Sequence, residues 1–356
     1  MCTNTSFFYD AVDLLKQLIS ISSVSGEENR LADFLENKLE EKKLFPRRKG
    51  NNIWLQAPNR NDQKPTILLN SHIDTVKPTA GWTKDPFLPI EEEGKLFGLG
   101  SNDAGASLVS LLQVFLILSQ TPQENNFIFL ASCEEEISGK NGIESVLPDL
   151  PPIDLGVVGE PTSMQPAIAE KGLMVLDGIV YGKAGHAARD EGVNAVYKAI
   201  PVINWFRNHR FPLVSPLLGP VKMTVTGIRA GIQHNVIPDI CNFTVDIRTN
   251  ELYTNKALFE TISSASGADE VQARSFRLNS SQIAPEHPLI QRAIELGMKP
   301  FGSPTLSDQS LMHFPSVKIG PGESARSHTA DEFIFTSEIA NAITRYLALL
   351  SNLKIR

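Results

Sequence analysis

Histidine and carboxylate side chains gather in five short segments of the chain, four of them directly beside an apolar run. The segments are residues 72–74 (HID), 98–105 (GLGSNDAG), 133–136 (CEEE), 159–162 (GEPT) and 327–332 (SHTADE). Together they supply two histidines and several carboxylates, a nitrogen and oxygen donor set that suits paired zinc ions. A carboxylate that binds no metal would serve as general base for an attacking water. The residue types therefore predict a hydrolytic metal centre.

Each segment taken alone also has an ordinary structural explanation. His72 could be a hydrogen-bonded histidine at a strand end, and Asp103 could be a cap in front of an apolar helix. The glutamates of residues 134–136 could be a solvated run of charge. Three adjacent carboxylates directly after an apolar strand repel one another, however, and cations would relieve that repulsion.

The elements that must position these residues alternate in the first half of the chain. Apolar runs at residues 66–73, 127–133 and 154–159 predict short strands, and residues 31–39 and 108–120 predict helices. Buried strands interleaved with helices indicate an α/β layer with a mostly parallel sheet. Ligands of open α/β sheets bind outside the carboxyl ends of the strands, which is where three of the segments fall.

The pattern changes near residue 173 to the order strand, helix, strand, strand, helix, strand. This βαββαβ order is that of a ferredoxin-like unit, and it is complete in about 110 residues, enough for a separate domain. The earlier helical pattern resumes after residue 287. We therefore predict a catalytic domain of residues 1–172 and 287–356 that is interrupted by an inserted domain of residues 173–286.

Composition excludes several classes of protein. The 356 residues are 42% hydrophobic and 21% charged, as in ordinary globular proteins. A net charge of −7 and a single basic triplet at residues 47–49 argue against nucleic-acid or membrane-surface binding. No apolar run reaches the ~18–20 residues of a membrane span, and the N-terminus does not resemble a signal peptide. Three scattered cysteines, Cys2, Cys133 and Cys241, indicate reduced thiols of a cytoplasmic protein.

Taken in order, the motifs resemble those of the M20 metallopeptidase family. They are HIDT (72–75), GLGSNDAGA (98–106), EEE (134–136), GEPT (159–162), GKAGHAA (182–188), GIQHNVIPD (231–239), DIR (246–248) and SHTADE (327–332). The resemblance covers essentially the whole chain. The family contains acetylornithine deacetylase, succinyl-diaminopimelate desuccinylase, carboxypeptidase G2-like enzymes and aminoacylases.

The resemblance implies a di-zinc amidohydrolase with five metal ligands. Asp103 would bridge the two metal ions. The first ion would also bind His72 and Glu160, and the second would also bind Glu136 and His328. Cobalt or manganese could occupy the same set of ligands.

The resemblance also implies roles beyond metal binding. Glu135 would be the general base, and Asp74 would orient the metal-binding histidine two residues before it. On the inserted domain, His186 would donate to the developing oxyanion, and Asn235 and Arg248 would bind the substrate's carboxylate. Ordinary explanations remain open for the last two, a turn residue for Asn235 and an ion pair on an edge strand for Arg248.

Two registers of the glutamate run remain open. The family pattern is Asp-Glu-Glu, with the base in the middle and the ligand last. Placing Glu134 at the aspartate position makes Glu135 the base and Glu136 the ligand, whereas placing Cys133 there shifts both roles by one. The 24 residues from Glu136 to Glu160 resemble the family's spacing and favour the first register.

The implied reaction is hydrolysis of an N-acyl amino acid, with acetylornithine deacetylase as the closest resemblance. N-acetylornithine, N-acetylcitrulline or N-acetyl-lysine would be the substrate, in arginine-type amino-acid biosynthesis. The alternatives are an N-succinyl amino acid desuccinylase, a dipeptidase or carboxypeptidase, and an inactive homologue that only binds ligands. Arg189 and Arg326 are candidates for binding a succinyl carboxylate. The inserted ferredoxin-like domain would act as a lid and would form a homodimer through an edge strand and a helix.

Overall fold

The computed structural model of the chain describes residues 3–189 and 191–355, so that Cys2 lies outside the described residues. The strands are β1 Arg47–Lys49, β2 Asn52–Gln56, β3 Thr66–His72, β4 Ile90–Glu92, β5 Lys95–Phe97, β6 Asn126–Ser132, β7 Leu155–Val158, β8 Ala167–Glu170, β9 Gly172–Tyr181, β10 Gly185–His186, β11 Lys222–Ala230, β12 Val236–Ile237, β13 Ile240–Thr249, β14 Glu270–Ala273, β15 Ser281–Gln282, β16 Phe301–Ser303, β17 Ser316–Lys318 and β18 Phe333–Phe335. The helices are α1 Thr3–Ile19, α2 Asn29–Glu41, α3 Ala106–Leu118, α4 Ile143–Val146, α5 Ala195–Asn208, α6 Asn255–Ala265, α7 Pro288–Glu295 and α8 Thr336–Leu350.

The chain divides into two compact units. The first unit comprises Met1–Ile168, Gln282–Phe301 and Ser307–Arg356, and the second comprises Ala169–Ser281 and Gly302–Leu306. The predicted domain boundaries lie after residues 172 and 286. The short segment Gly302–Leu306, which joins the second unit, is not part of that prediction.

The central strands of the first unit are parallel. The order across this sheet is β1-β2-β6-β3-β7-β17-β8. Strands β6, β3, β7 and β17 run parallel to one another, whereas β2 and β8 pair antiparallel at the two sides. Every residue of β3 and β6 is buried, as expected for strands covered on both faces. The predicted α/β class with a mostly parallel sheet is confirmed.

Helix α3 lies in the core of the first unit and packs against α1 and α8. It is apolar on all sides, so that almost every one of its residues is buried. The helical stretch Ser101–Leu118 is long and apolar enough to span a membrane by length and composition, but 78% of it is buried inside the protein. Its length and composition are therefore those of a central core helix, whose start carries the loop with Asp103.

The second unit contains a four-stranded antiparallel sheet with the order β11-β13-β9-β14. Along the chain its elements follow the order β9, α5, β11, β13, α6, β14, which is the predicted βαββαβ sequence. Buried side chains alternate along β9 and β13 and join those of α5 and α6 in one core. The last strand of this order, Glu270–Ala273, has four residues. The lid and dimerisation roles of this unit remain predictions.

Candidate metal centre

The predicted ligands of the first unit lie at the carboxyl ends of neighbouring parallel strands. His72 is the last residue of β3, Glu135 and Glu136 follow β6, and Glu160 follows β7. Because β6, β3 and β7 are adjacent in the sheet, these side chains reach the same edge. Asp103 comes from the turn that precedes α3.

His72, Asp103 and Glu160 form a first candidate metal-binding group, in which the ligand atoms all lie within 4.8 Å of one another. Nε2 of His72 is 3.3 Å from Oδ1 of Asp103 and 3.6 Å from Oε1 of Glu160. All three side chains are largely withdrawn from solvent. Three converging donors of this kind leave room for water or substrate in a fourth position.

Asp103, Glu136 and His328 form a second candidate group that shares the aspartate with the first. Nε2 of His328 is 2.9 Å from Oε2 of Glu136 and 3.7 Å from Oδ2 of Asp103. The two carboxylate oxygens of Asp103 therefore face different histidines, Oδ1 toward His72 and Oδ2 toward His328. A carboxylate in this orientation can bridge two cations.

The pKa values of the cluster reflect its excess of negative charge. Burial and the charge of Asp103 raise the pKa of Glu160 to about 8. Burial and the charge of Glu160 raise the pKa of Glu135 well above its usual value. The hydrogen bond to Glu136 raises the pKa of His328 to about 9. Crowded carboxylates that hold on to protons in this way are stabilised by bound cations.

The donor set fits a divalent metal such as zinc. Nδ1 of His72 lies 2.9 Å from the backbone oxygen of Asp74, and donation there leaves the Nε2 lone pair for a metal. Oε1 of Glu160 is buried and has no hydrogen-bond partner among the described residues, so that a cation would compensate an otherwise unsatisfied oxygen. Burial alone would lower the pKa of His72, but Asp103 and Asp74 raise it well above the usual value. The position thus favours positive charge.

The carboxylate of Asp74 binds the backbone of the glutamate segment and not the imidazole of His72. Oδ1 accepts a hydrogen bond from the Glu135 amide at 3.0 Å, and Oδ2 accepts from the Glu136 amide at 3.1 Å and from Ser25 Oγ at 2.7 Å. The nearest approach of this carboxylate to Nδ1 of His72 is 3.6 Å. The backbone oxygen of Asp74 orients the imidazole of His72, while its side chain positions the backbone of Glu135 and Glu136.

The geometry of the three glutamates favours the first register. Glu134 has a positive φ of 56°, and its carboxylate accepts hydrogen bonds from the backbone and side-chain nitrogens of Asn141. Glu136 contacts His328 in the second group. Oε2 of Glu135 lies 4.0 Å from Nε2 of the histidine in the first group. Glu134 is therefore engaged outside the cluster, and the other two point into it.

Glu332 is a buried carboxylate beside Asp103 for which sequence analysis predicted no role. Oε1 accepts hydrogen bonds from the amides of Asn102 and Asp103 at 2.8 and 2.9 Å, and Oε2 accepts from the Gly100 amide at 3.1 Å. Burial and the charge of Asp103 raise the pKa of Glu332 to about 8. It fixes the loop of the bridging aspartate. Its membership of the SHTADE motif was the only available signal.

Asp308 is a second buried carboxylate that sequence reasoning missed. It accepts a hydrogen bond from Ser132 Oγ at 2.7 Å, at the end of β6. Burial raises the pKa of Asp308 to about 6. A single aspartate within a polar stretch, Ser307-Asp308-Gln309, offers no pattern from which this location could be read.

Arg326 is held within the first unit by its own partners. Its guanidinium pairs with Glu338 at 2.7 Å and with Glu323 at 3.1 Å, and it lies over the ring of Phe333. With both ends of the guanidinium engaged, Arg326 is a poor candidate for binding a succinyl carboxylate. The other candidate, Arg189, has an exposed side chain in the second unit.

The second unit carries the remaining predicted site residues. His186 lies on β10, which pairs with β12, and its Nδ1 accepts a hydrogen bond from the Ala188 amide at 3.1 Å. The backbone oxygen of Asn235 accepts a hydrogen bond from the amide of Ala187, the residue that follows His186. Arg248 forms a two-point ion pair with Asp246 on the same strand, at 2.9 and 3.1 Å. That strand, β13, is an inner strand of the four-stranded sheet and not an edge strand. Their roles in substrate binding remain predictions.

Comparison with known proteins identifies the family. The family model for Peptidase family M20/M25/M40 matches residues 68–352. An acetylornithine deacetylase from Pectobacterium carotovorum is 29% identical over 78% of this chain and 77% of its own length. A succinyl-diaminopimelate desuccinylase from Orientia tsutsugamushi is 27% identical over 91% of this chain and 85% of its own length.

The fold is also shared with solved structures. A dinuclear metal binding peptidase of the M20 family from Bacillus subtilis superposes with a TM-score of 0.74 at 18% sequence identity, covering 97% of this chain and 98% of the other. The likeness extends over both units and confirms the resemblance seen in the motifs. The chain belongs to Peptidase family M20/M25/M40 and is a hydrolase.

Proposed function

We propose that the protein hydrolyses the amide bond of N-acyl amino acids, with N-acetylornithine as the first candidate substrate and two zinc ions as cofactors. The observation that carries this proposal is Asp103, whose two oxygens face His72 and His328 separately. Glu160 would complete the first metal site and Glu136 the second. The acetylornithine deacetylase among the relatives supports the choice of substrate.

The residues of the first unit suffice for the proton transfers of amide hydrolysis. Bound divalent ions would polarise the amide carbonyl and lower the pKa of the attacking water. Glu135 takes a proton from that water while the water oxygen forms a bond to the carbonyl carbon of the substrate. The same carboxyl then gives the proton to the amine nitrogen as the carbon–nitrogen bond breaks. The raised pKa of Glu135 suits a group that must hold this proton between the two steps.

Desuccinylation is the second candidate, because a succinyl-diaminopimelate desuccinylase matches the chain at similar identity. The deciding experiment compares kcat/KM for N-acetyl- and N-succinyl-ornithine and -citrulline with the zinc-loaded enzyme. A clear preference for the N-acetyl compounds supports the first proposal, and a preference for the N-succinyl compounds replaces it by the second. A protein that binds no metal and cleaves none of the four substrates would instead be an inactive homologue.

Replacing His186 by alanine is expected to lower kcat while metal content stays unchanged. We propose that this imidazole donates to the oxyanion of the tetrahedral intermediate, a charge that is absent from the ground state. Loss of one such donor costs about 10²–10³ in kcat. His234, an exposed histidine of the same unit, provides the control His234→Ala. Unchanged turnover in His186→Ala would remove the proposed role.

We propose a homodimer formed through the second unit. Strand β11 is at the edge of the four-stranded sheet and carries Ile228, which is 55% exposed. On α5, Tyr197 and Ile200 are 72% and 52% exposed. An unpaired edge strand with exposed apolar side chains is a surface suited to pairing with a second copy.

The molar mass from light scattering is expected to be that of a dimer. Replacing both Tyr197 and Ile200 by glutamate should lower the mass to that of one chain, because two charges would be buried in the interface. Thr261→Glu, at an exposed position of α6, is the matched control and should stay dimeric. A monomeric wild-type protein would eliminate the proposal.

The cytoplasmic location also remains a proposal, for which buried free thiols at Cys133 and Cys241 are the support.

A further inference from the structure

Glu28 is a fully buried carboxylate that lies outside the metal-binding groups. It precedes α2, and its relative exposure is 0%. Oε1 accepts hydrogen bonds from the Gly26 amide at 2.7 Å and the Glu134 amide at 3.2 Å, and Oε2 accepts from Asn51 Nδ2 at 3.1 Å. Among the described residues, no lysine, arginine or histidine forms an ion pair with it. Burying a carboxylate is costly unless hydrogen bonds compensate it, so that these three donors define its place.

The Glu134 amide is the first of three successive amides that all donate to buried carboxylates. The amides of Glu135 and Glu136 donate to Asp74, as described above. Glu134 adopts a left-handed backbone conformation, with φ at 56°. Successive amides around a left-handed residue point to one side and form a concave site for anions. Glu28 and Asp74 together occupy that site from two different segments of the chain.

The segment that carries the proposed base has no regular secondary structure of its own. After β6 ends at Ser132, the next helix begins at Ile143. The amide of Cys133 donates to Asn52 Oδ1 at 3.1 Å, and Asn52 Nδ2 donates to the Asn141 oxygen at 2.6 Å. A Cβ atom added at Gly139 would lie 1.9 Å from the Glu134 carboxylate, so that the loop closes tightly over that side chain. Side-chain acceptors therefore determine the course of this loop.

We propose that Glu28 is a positioning residue for Glu135 and Glu136, acting through the backbone of Glu134. This inference rests on the proposed function, in which Glu135 is the base and Glu136 a ligand. A hydrogen bond to a charged acceptor is stronger than one between neutral groups. Without it, the left-handed turn at Glu134 keeps its contacts to Asp74 and Asn141 but loses the charged acceptor of its first amide, so that both glutamates that follow can shift relative to the strand-end ligands. Displacements of about 1 Å at a catalytic group cost about 10² in rate.

The test replaces Glu28 by glutamine, which keeps the shape of the side chain and removes its charge. With zinc added until both sites are filled, kcat is expected to fall by about 10–100-fold, the usual effect of losing an outer-shell partner. The acid limb of the pH profile of kcat should shift, because it reports the ionisation of the displaced base. The affinity for one of the two metal equivalents should fall by about 10–100-fold in a titration. Glu27→Gln, at the exposed neighbouring position, should leave all three quantities at wild-type values.

Two further outcomes keep the test decisive. A folded Glu28→Gln protein with the wild-type kcat, pH profile and metal affinity would overturn the proposal. If that variant does not fold, Glu28→Asp serves instead, because it keeps the charge but shortens the reach to the Glu134 amide. Wild-type kcat and metal affinity in Glu28→Asp would then overturn the proposal. If the wild-type enzyme cleaves no N-acyl amino acid, the proposed function fails, whereas the metal titration still decides whether Glu28 positions the Glu136 ligand.

Discussion

Replacing Glu135 by glutamine is expected to lower kcat by about 10²–10⁴-fold while the metal content stays at the wild-type level. The amide side chain cannot take the proton from the attacking water or pass it to the leaving nitrogen. Metal binding should survive, because Glu135 belongs to neither of the two candidate groups. Steady-state kinetics on the best N-acyl amino acid and elemental analysis of the purified variant measure the two quantities.

Glu134→Gln and Glu136→Gln are the matched variants for this prediction. Each removes one negative charge from the same run. Glu134→Gln should retain most of the turnover, since that side chain binds Asn141, and Glu136→Gln should lose metal together with turnover. Loss of metal in Glu135→Gln, with metal retained in Glu136→Gln, would show that the register of the run is shifted by one.

Replacing Asp103 by alanine is expected to abolish binding at both metal sites. Both candidate groups contain this carboxylate, so that each group loses a donor through one substitution. The fall in metal affinity should exceed the about 10–100-fold that follows loss of an outer-shell partner. Isothermal titration of the metal-free variant with zinc measures the stoichiometry, and turnover should be lost with it.

Thermal unfolding separates this effect from simple misfolding. A ligand that binds only the native state raises the Tm, so that added zinc is expected to raise the Tm of the wild-type protein. Burial alone would raise the pKa of Asp103, but the hydrogen bond to His72 lowers it, so that the charged carboxylate is stabilised in the folded protein. Without metal, Asp103→Ala should therefore unfold at a somewhat lower temperature than the wild type, in a transition that is still cooperative. Its Tm should then fail to rise with zinc. Asp62→Asn, at an exposed carboxylate that precedes β3 and so lies toward the opposite end of that strand from His72, should behave like the wild type. A zinc-dependent rise in the Tm of Asp103→Ala would contradict the bridging role.

The sheet could be predicted from the sequence because strands that are buried on both faces contain runs of apolar residues. Strands β3 and β6 contain the apolar runs of residues 67–69 and 127–131, every residue of both strands is buried, and His72 ends the first of them. The ends of these strands could therefore be located in the sequence, and they mark the edge of the sheet at which the predicted ligands lie. The second unit was predictable for the same reason, since alternation along β9 and β13 marks the face that joins its core.

The buried carboxylates Glu332 and Glu28, which bind backbone amides near the candidate metal centre, could not be predicted from sequence patterns. Glu332 binds amides 229 to 232 residues away, and Glu28 binds an amide 106 residues away. No periodicity links such distant positions, and a buried carboxylate has the same letter as an exposed one. The roles within the glutamate run depended on the left-handed backbone at Glu134, which local composition does not indicate. The partner of Arg248 was nearer, two residues away on the same strand, and an ion pair had been one of its two explanations.

The shared aspartate has a consequence for biosynthesis. All residues of the first group have been synthesised once the chain reaches residue 160. The second group also needs His328, which is synthesised only after the whole inserted unit. Glu332, which fixes the loop of Asp103, emerges later still. Domains fold largely in the order of their synthesis, but this centre draws on both ends of the first unit. A nascent chain can therefore bind one metal ion early, whereas the second is acquired only after residue 328 has been made.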